Sequence, residues 1–412
     1  MNIPLSAPDI SELEIAYVTD VLRSRHLSLG PKLVEFEERF ARYIGTRYAV
    51  AANSGTSALH MCVRALGIGS HDEAITTSFS FVASANCLLY EGAAPCFMDI
   101  DLRTLNIDPE VMREFLYREC KRTVKGSVVN RATGRTIKAI LPVHVFGMPC
   151  DMKAVVELAR EYGLFVLEDA CEAIGAEYQG RRLGSFGDAG VFAFYPNKQM
   201  TTGEGGMVVT NDRRIADLCR SLRNQGRDSD ASWLKHVRLG YNYRLSDIQA
   251  ALGLAQLERL EEILAARAEV ARRYTELLSG HKLLSLPAEG SGIKRSWFVY
   301  VIQLRGASPQ SLRNRVRAHL SSKGIASQVY FPAIHHQPYF QTLCPGPIPQ
   351  LPNTDRAADS CLALPFSSRL SAEEVRFVCD EVVRAIEGET GPNRADRASS
   401  PFVPKAVQAR IS

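Results

Sequence analysis

Seven short apolar runs punctuate the first half of the chain, at 48–51, 74–77, 95–98, 139–143, 164–167, 191–194 and 207–210. Longer stretches with apolar residues at helical spacing lie between several of them. Alternation of this kind predicts βαβ units around a largely parallel sheet, an α/β fold. Such a sheet offers ligands the crevice beyond the carboxyl ends of its strands, so the residues that follow each run carry the functional interest.

From Ser246 to about residue 279 the apolar positions Ile248, Ala251, Leu252, Ala255 and Leu257 fall close to a 3.6-residue period and predict one long helix leaving this first unit. Beyond it, 297–302 reads as a strand, and 308–320 and 371–387 read as helices, a smaller α+β unit. The expected organisation is a large domain over 1–255 and a small C-terminal domain over 256–390. The Pro, Ser, Ala and Arg content of 391–412 predicts a disordered tail.

Composition narrows the class. With 412 residues, 46% hydrophobic and 23% charged, the chain is neither disordered throughout nor collagen-like, and it can bury a core without disulfides or metal. Of the net charge of +4, most sits in the tail, where Arg394, Arg397, Lys405 and Arg410 face a single Asp396. The near-neutral remainder argues against nucleic acid or an anionic membrane as a partner. Ten cysteines without a CxxC pair, most of them in apolar stretches, read as reduced thiols of a cytoplasmic protein. The N-terminus shows no basic region followed by an apolar run, and no stretch approaches 18 uninterrupted apolar residues, so neither export nor membrane insertion is expected. HExxH and GxxxxGK[ST] are absent, the histidines have no metal-like spacing, and no metal is expected.

Three segments carry candidate chemistry. In Gly190 to Gly206 a strand runs into Lys198, then a glycine-rich turn, then another strand, which delivers an amine to a strand end. That suits a Schiff-base lysine, and it equally suits a solvated lysine in a hairpin. The run at 164–167 ends in Glu168 and Asp169, which point to opposite faces of a strand and so do not form an acid/base pair. One of them fits the protonated ring nitrogen of pyridoxal phosphate; the commoner reading is a polar strand end or helix cap.

The third segment, 51–60, is a strand, a turn through Ser54, Gly55, Thr56 and Ser57, and a helix running to about Leu66 with Gly67 as its stop. Hydroxyls and backbone N–H groups converge there on a helix N-terminus, a place for a phosphate, although Ser and Thr also cap many helices. Phe79 and Phe81 suit either stacking on a planar ring or filling the core. Phosphate cradle, aromatic, carboxylate and lysine each beside a sheet edge make one cofactor site a better account than four coincidences.

With these residues the chain resembles, over roughly 1–390, the DegT/DnrJ/EryC1/StrS family of sugar aminotransferases, most specifically around Asp169 and Lys198. The resemblance implies a fold type I, aspartate aminotransferase-like transferase with pyridoxal 5′-phosphate as cofactor. It makes Lys198 the Schiff-base lysine and proton carrier, Asp169 the partner of the pyridine nitrogen and Phe81 the stacking ring. Gly55, Thr56 and Ser57 would hold the phosphate. Asn242, in Gly240-Tyr241-Asn242-Tyr243-Arg244, would reach the cofactor phosphate of a neighbouring subunit, so that a homodimer shares its active sites.

Three positions depart from the family pattern. Ala193 stands where members often have a phosphate-binding Ser, and Glu172 where many have Gln or His at the cofactor's ring oxygen or the substrate side. Candidate substrate contacts are His144, Tyr195, Arg227, Tyr330 and His335, the last followed by His336 where the family has Leu. Arg223 and Arg227 suit a diphosphate through their forked N–H donors; a packed or solvated side chain suits the histidines and arginines equally.

The implied reaction is a two-stage transamination. L-Glutamate gives its amine to the cofactor, and a keto sugar on a nucleotide diphosphate, by family frequency a 4-keto-6-deoxy sugar, takes it up for surface polysaccharide or glycoside biosynthesis. Related dehydrating enzymes replace the lysine with histidine, so Lys198 argues against that chemistry. An aminotransferase for a cyclitol or other ring ketone, or a non-catalytic regulatory protein that kept the fold, are the competing readings.

Overall fold

The computed structural model describes residues 2–228, 235–344 and 348–388; the tail expected at 391–412 lies outside the described residues. Seven strands form the main sheet: β1 (Tyr48–Ala52), β2 (Asp72–Thr77), β3 (Ala94–Met98), β4 (Thr136–Ile140), β5 (Phe165–Asp169), β6 (Ala189–Ala193) and β7 (Gly206–Thr210). Their spatial order is β1-β7-β6-β5-β4-β2-β3, and a short antiparallel pair, Cys120–Arg122 and Val128–Asn130, extends β4. Within the seven, β7 alone runs against its neighbours; the other pairings are parallel. The fold is α/β with a mixed, mostly parallel sheet. Helices cover the sheet, so strands such as β7 are buried along their whole length, which is why they read as unbroken apolar runs.

All seven expected runs are strands, with one shift. The run expected at 139–143 is continuous strand only over Thr136–Ile140; Pro142 has no N–H to continue the ladder, and Val143 rejoins it as a single bridge to Asp169. The single long helix expected from Ser246 is two, Asp247–Glu258 and Leu260–Leu278. Arg259 sits at the break with non-helical angles, its guanidinium drawn to Glu14 at 3.0 Å and Asp9 at 3.2 Å.

A second sheet, β8 (Leu284–Ser285), β9 (Tyr300–Leu304) and β10 (Cys361–Leu364), is antiparallel throughout, and the helices Pro309–Ser322 and Ala372–Glu387 pack in the same unit. Its core gathers Tyr274, stacked on Tyr300 at 4.8 Å, with Phe366 and Ile3. Ile3 also bridges to Ile325, so the first residues, expected in the large unit, join the small one. The ten cysteines form no disulfide, and among the described residues no helix is long and apolar enough to cross a membrane.

Candidate active site

The antiparallel β7 begins at the sheet edge where β1, β2, β4, β5 and β6 end. Six strands therefore feed one cavity of about 650 Å³. Ser54, Gly55 and Thr56 come from the end of β1, Ser80 and Phe81 from β2, Val143 from beyond β4, Asp169 from β5, Ala193 from β6 and Gly205 from the start of β7. The second unit closes the cavity with Phe298 and the segment from Val329 to Pro332.

Two close approaches shape the phosphate end. Ser54 caps the helix Gly55–Ala65, its hydroxyl accepting the Ser57 N–H at 3.1 Å, and the first-turn N–H groups of such a helix have no acceptor within the helix. A Cβ on Gly55 would lie 2.6 Å from the Ala193 Cβ, and one on Gly206 only 2.4 Å from the Ser54 carbonyl oxygen, so glycine at both positions lets the helix N-terminus sit against β6 and β7. Thr56 lines the cavity; Ser57 does not, its hydroxyl lying 2.9 Å from that of Ser54.

Lys198 follows β6 on a tight turn, its N–H donating to the Tyr195 carbonyl at 2.9 Å. Its Nζ lies 3.9 Å from the centre of the Phe298 ring and 3.4 Å from Glu172 Oε1. Glu172 is buried, and its other oxygen accepts the Phe146 N–H at 2.9 Å. Burial raises the Glu172 pKa and the neighbouring ammonium of Lys198 opposes it; the net direction is up.

The two carboxylates ending β5 divide as strand alternation requires. Asp169 faces the cavity, with Oδ2 accepting from the Ser84 hydroxyl at 2.7 Å and Oδ1 from the Cys171 N–H at 3.1 Å. Glu168 faces away and accepts the N–H groups of Gly184, Phe186 and Gly187 at 2.7–2.8 Å. It organises a turn and has no access to ligand. Cys171 also lines the cavity, but burial first and Asp169 second push its pKa well above the ordinary thiol value, so it stays protonated.

The aromatic pair separates too. Phe79 is wholly buried against Phe146 and Phe331, whereas Phe81 is 59% exposed on the cavity wall, a ring free to stack. Tyr195, half exposed, and Tyr330 line the cavity as well. Tyr330 belongs to an aromatic ladder, parallel to Phe331 at 5.1 Å and to Phe298 at 6.5 Å.

Four candidate substrate contacts lie elsewhere. His144 is fully buried behind the cavity: its Nδ1 accepts the Cys150 N–H at 3.1 Å, which leaves Nε2 to donate toward Glu168 at 3.3 Å. Both nitrogens are committed and neither reaches ligand. His335 is 1% exposed and bonded through Nδ1 to the Ser78 hydroxyl at 2.7 Å, not to the cavity. Arg227 does not line the cavity, and Arg223 is buried in an ion pair with Glu37 while donating to the Ala51 carbonyl at 2.8 Å, which removes it from any diphosphate.

Asn242 is exposed and stands outside its own chain's cavity. The segment that carries it is anchored where β1 ends, the Asn53 N–H donating to the Tyr243 carbonyl at 2.9 Å. Tyr241 donates to Glu91 at 2.9 Å and Tyr243 meets His60 at 3.1 Å, so the exposed asparagine rides on a fixed support.

Ser84 and Phe298 are site residues that sequence reasoning passed over. Ser84 lies three residues after Phe81 on the first turn of the helix Ala83–Leu89, and Phe298 precedes β9 in a run that reads as strand interior. Neither position has a sequence signal of its own.

A buried carboxylate, an amine and an open helix N-terminus around one cavity suit an aromatic cation bearing an aldehyde and a phosphate, which is the chemistry of pyridoxal phosphate. The model of the DegT/DnrJ/EryC1/StrS aminotransferase family matches residues 8–383. GDP-perosamine synthase of Caulobacter vibrioides is 37% identical over 393 residues, covering 94% of this chain and 98% of that protein. The spore coat polysaccharide biosynthesis protein SpsC of Bacillus subtilis is 37% identical over 396 residues, 94% of this chain and 97% of its own. Among solved structures, PseC of Helicobacter pylori, an aminotransferase involved in the biosynthesis of pseudoaminic acid, matches with a TM-score of 0.85 at 28% identity, over 94% of this chain and all of that one. The chain belongs to the DegT/DnrJ/EryC1/StrS aminotransferase family, whose members are pyridoxal-phosphate-dependent enzymes.

Proposed function

We propose that this aminotransferase moves an amino group from L-glutamate to a keto sugar carried on a nucleotide diphosphate, producing an amino sugar for surface polysaccharide or glycoside biosynthesis. One observation carries the reading. The Lys198 amine and the Asp169 carboxylate face a single cavity, in a chain 37% identical over 94% of its length to a GDP-perosamine synthase. When bound, pyridoxal phosphate withdraws electrons from the bond that breaks at the amino carbon.

The chain's own residues do the rest. Asp169, held by Ser84 and the Cys171 N–H, turns its carboxyl group to the pyridine nitrogen. Gly55 and Thr56 offer N–H groups to the phosphate, and the Phe81 ring stacks. Lys198, once its amine is free, moves the proton at the amino carbon as a general base and acid. The ladder of Tyr330, Phe331 and Phe298 excludes water from that side. A homodimer, with Asn242 reaching the partner subunit's phosphate, completes the site.

The test begins with the absorption spectrum of purified protein loaded with pyridoxal phosphate, before and after L-glutamate, beside Lys198→Ala. Glutamate should convert the visible band to the shorter-wavelength pyridoxamine form in the wild type alone. Adding nucleotide-linked 4-keto-6-deoxy sugars, and separately a cyclitol ketone, should then restore the visible band only with the nucleotide sugars. Restoration by the cyclitol ketone alone would replace the sugar reading with the ring-ketone one.

A further inference from the structure

Among the described residues, one group of His, Cys, Asp or Glu side chains brings three ligand atoms within reach of one ion: His335, His336 and Asp355, all within 4.8 Å of one another. It is separate from the cofactor cavity, none of the three lining it. His336 Nε2 lies 2.9 Å from Asp355 Oδ1, and His335 Nε2 lies 3.3 Å from the same oxygen. Zinc held by nitrogen and oxygen at 2.0–2.2 Å in a tetrahedron requires ligand-to-ligand separations of about 3.3 Å. The carboxylate comes from 19 residues beyond His336, which is why spacing along the chain showed no metal signature.

A second observation points to a ligand. His335 is 1% exposed, yet its Nε2 has no hydrogen-bond partner, the Asp355 oxygen lying close but out of line. Buried nitrogens are rarely left so. The other ring nitrogen is spoken for: Nδ1 sits 2.7 Å from the Ser78 hydroxyl, whose oxygen also accepts the His335 backbone N–H at 3.0 Å. With its proton on Nδ1 toward Ser78, the imidazole turns the Nε2 lone pair to His336 and Asp355, the arrangement that orients metal-binding histidines.

Both arms are held by the main sheet. Ser78 follows β2 directly. Asp99, just past β3, accepts the Asn353 N–H at 2.9 Å and both the N–H and the hydroxyl of Thr354 at 2.8 Å, pinning the first turn of the helix Pro352–Ser360 that carries Asp355. Adjacent parallel strands thus set the gap between the histidines and the carboxylate before any ion arrives. The His336 and Asp355 side chains are 50% and 44% exposed, so an ion can enter and water can supply a further ligand.

We propose that His335, His336 and Asp355 form a binding site for a divalent transition-metal ion of the zinc class. Two imidazoles and one carboxylate suit zinc and its neighbours; magnesium and calcium demand oxygen ligands. The ion ties the segment ending in His336 to the helix Pro352–Ser360. Because Val329 to Pro332 of that segment wall the cavity, the site braces the wall that bears Tyr330.

The experiment uses full-length, cofactor-loaded protein without a polyhistidine tag, stripped with a chelator and titrated with zinc chloride, then with magnesium chloride, in a calorimeter. Replacing the buried His335 risks misfolding, so the variants are His336→Ala and Asp355→Asn, with circular dichroism to confirm the fold. One zinc per chain should bind, magnesium should not, and each variant should lose roughly tenfold or more in zinc affinity. Zinc should raise the melting temperature of the wild type and of neither variant. No zinc bound by the wild type, or an affinity within about twofold of wild type in either variant, would overturn the assignment; the spectra with glutamate test the aminotransferase reading separately.

Discussion

Glu172 stands 3.4 Å from the amine of Lys198 yet is buried deeply enough that its pKa is raised, burial outweighing the attraction of that amine. A carboxyl raised in the folded state favours folding fully below its ordinary value of 4.5, and that contribution is lost as pH rises through the folded value. Glu172→Gln keeps an acceptor for the Phe146 N–H and removes the buried charge. In the cofactor-free protein the melting temperature of the variant should therefore gain on the wild type as pH rises from the ordinary carboxyl value of 4.5 toward neutrality. Scanning calorimetry across that range checks it; a variant that loses ground as pH rises would mean that the pairing with Lys198 dominates.

Ser84→Ala removes the hydroxyl that donates to Asp169 Oδ2 at 2.7 Å and leaves a buried carboxylate oxygen short of a partner. Hydrogen bonds to charged groups contribute about 1.5–3 kcal/mol, so unfolding of the cofactor-free variant should need that much less free energy. Urea titration should show a lower midpoint with an unchanged slope. A difference under about 0.5 kcal/mol would mean that solvent in the cavity replaces the hydroxyl without cost.

Strand alternation put Asp169 and Glu168 on opposite faces, the resemblance chose between them, and continuous apolar runs marked the seven strands, because these signals are local to a few residues. What stayed illegible depends on partners distant in the chain. Nothing around Arg259 marks a helix break, since its attractors Glu14 and Asp9 lie 245 and 250 residues away. His335 reads as a ligand contact until Ser78, 257 residues upstream, claims it, and Arg223 reads as a phosphate binder until Glu37 does. Phe79 and Phe81 share one strand end, and the packing of Phe146 and Phe331, both distant in the chain, decides which of them is core.

Ala193 faces the cavity against the first turn of the helix Gly55–Ala65, its methyl group standing where serine would carry a hydroxyl. Ala193→Ser adds a donor where the proposed phosphate meets that helix. A net gain of about 1 kcal/mol for one hydrogen bond corresponds to roughly fivefold tighter pyridoxal phosphate. Gly55→Ala should act the other way, its Cβ lying 2.6 Å from that of Ala193, and should weaken the cofactor by at least as much. Fluorescence titration of the cofactor-free variants gives both affinities, and a serine variant no tighter than wild type would place the phosphate away from β6.

Asn242 is exposed, carried on a supported segment, and absent from its own cavity, whereas Lys198 lines that cavity. If the proposed homodimer shares its sites, Lys198→Ala and Asn242→Ala damage different halves of each one. Inactive or impaired separately, the two variants mixed under subunit exchange should then recover activity. In a mixed dimer one site holds both replacements, and the other combines the native Lys198 of one protomer with the native Asn242 of its partner. Random pairing makes half the dimers mixed, so equal mixing should yield about a quarter of wild-type turnover above the parental background. Steady-state assays before and after exchange measure it. Recovery that never exceeds the average of the two parents would place Asn242 outside the neighbouring site and leave each protomer catalytically self-contained.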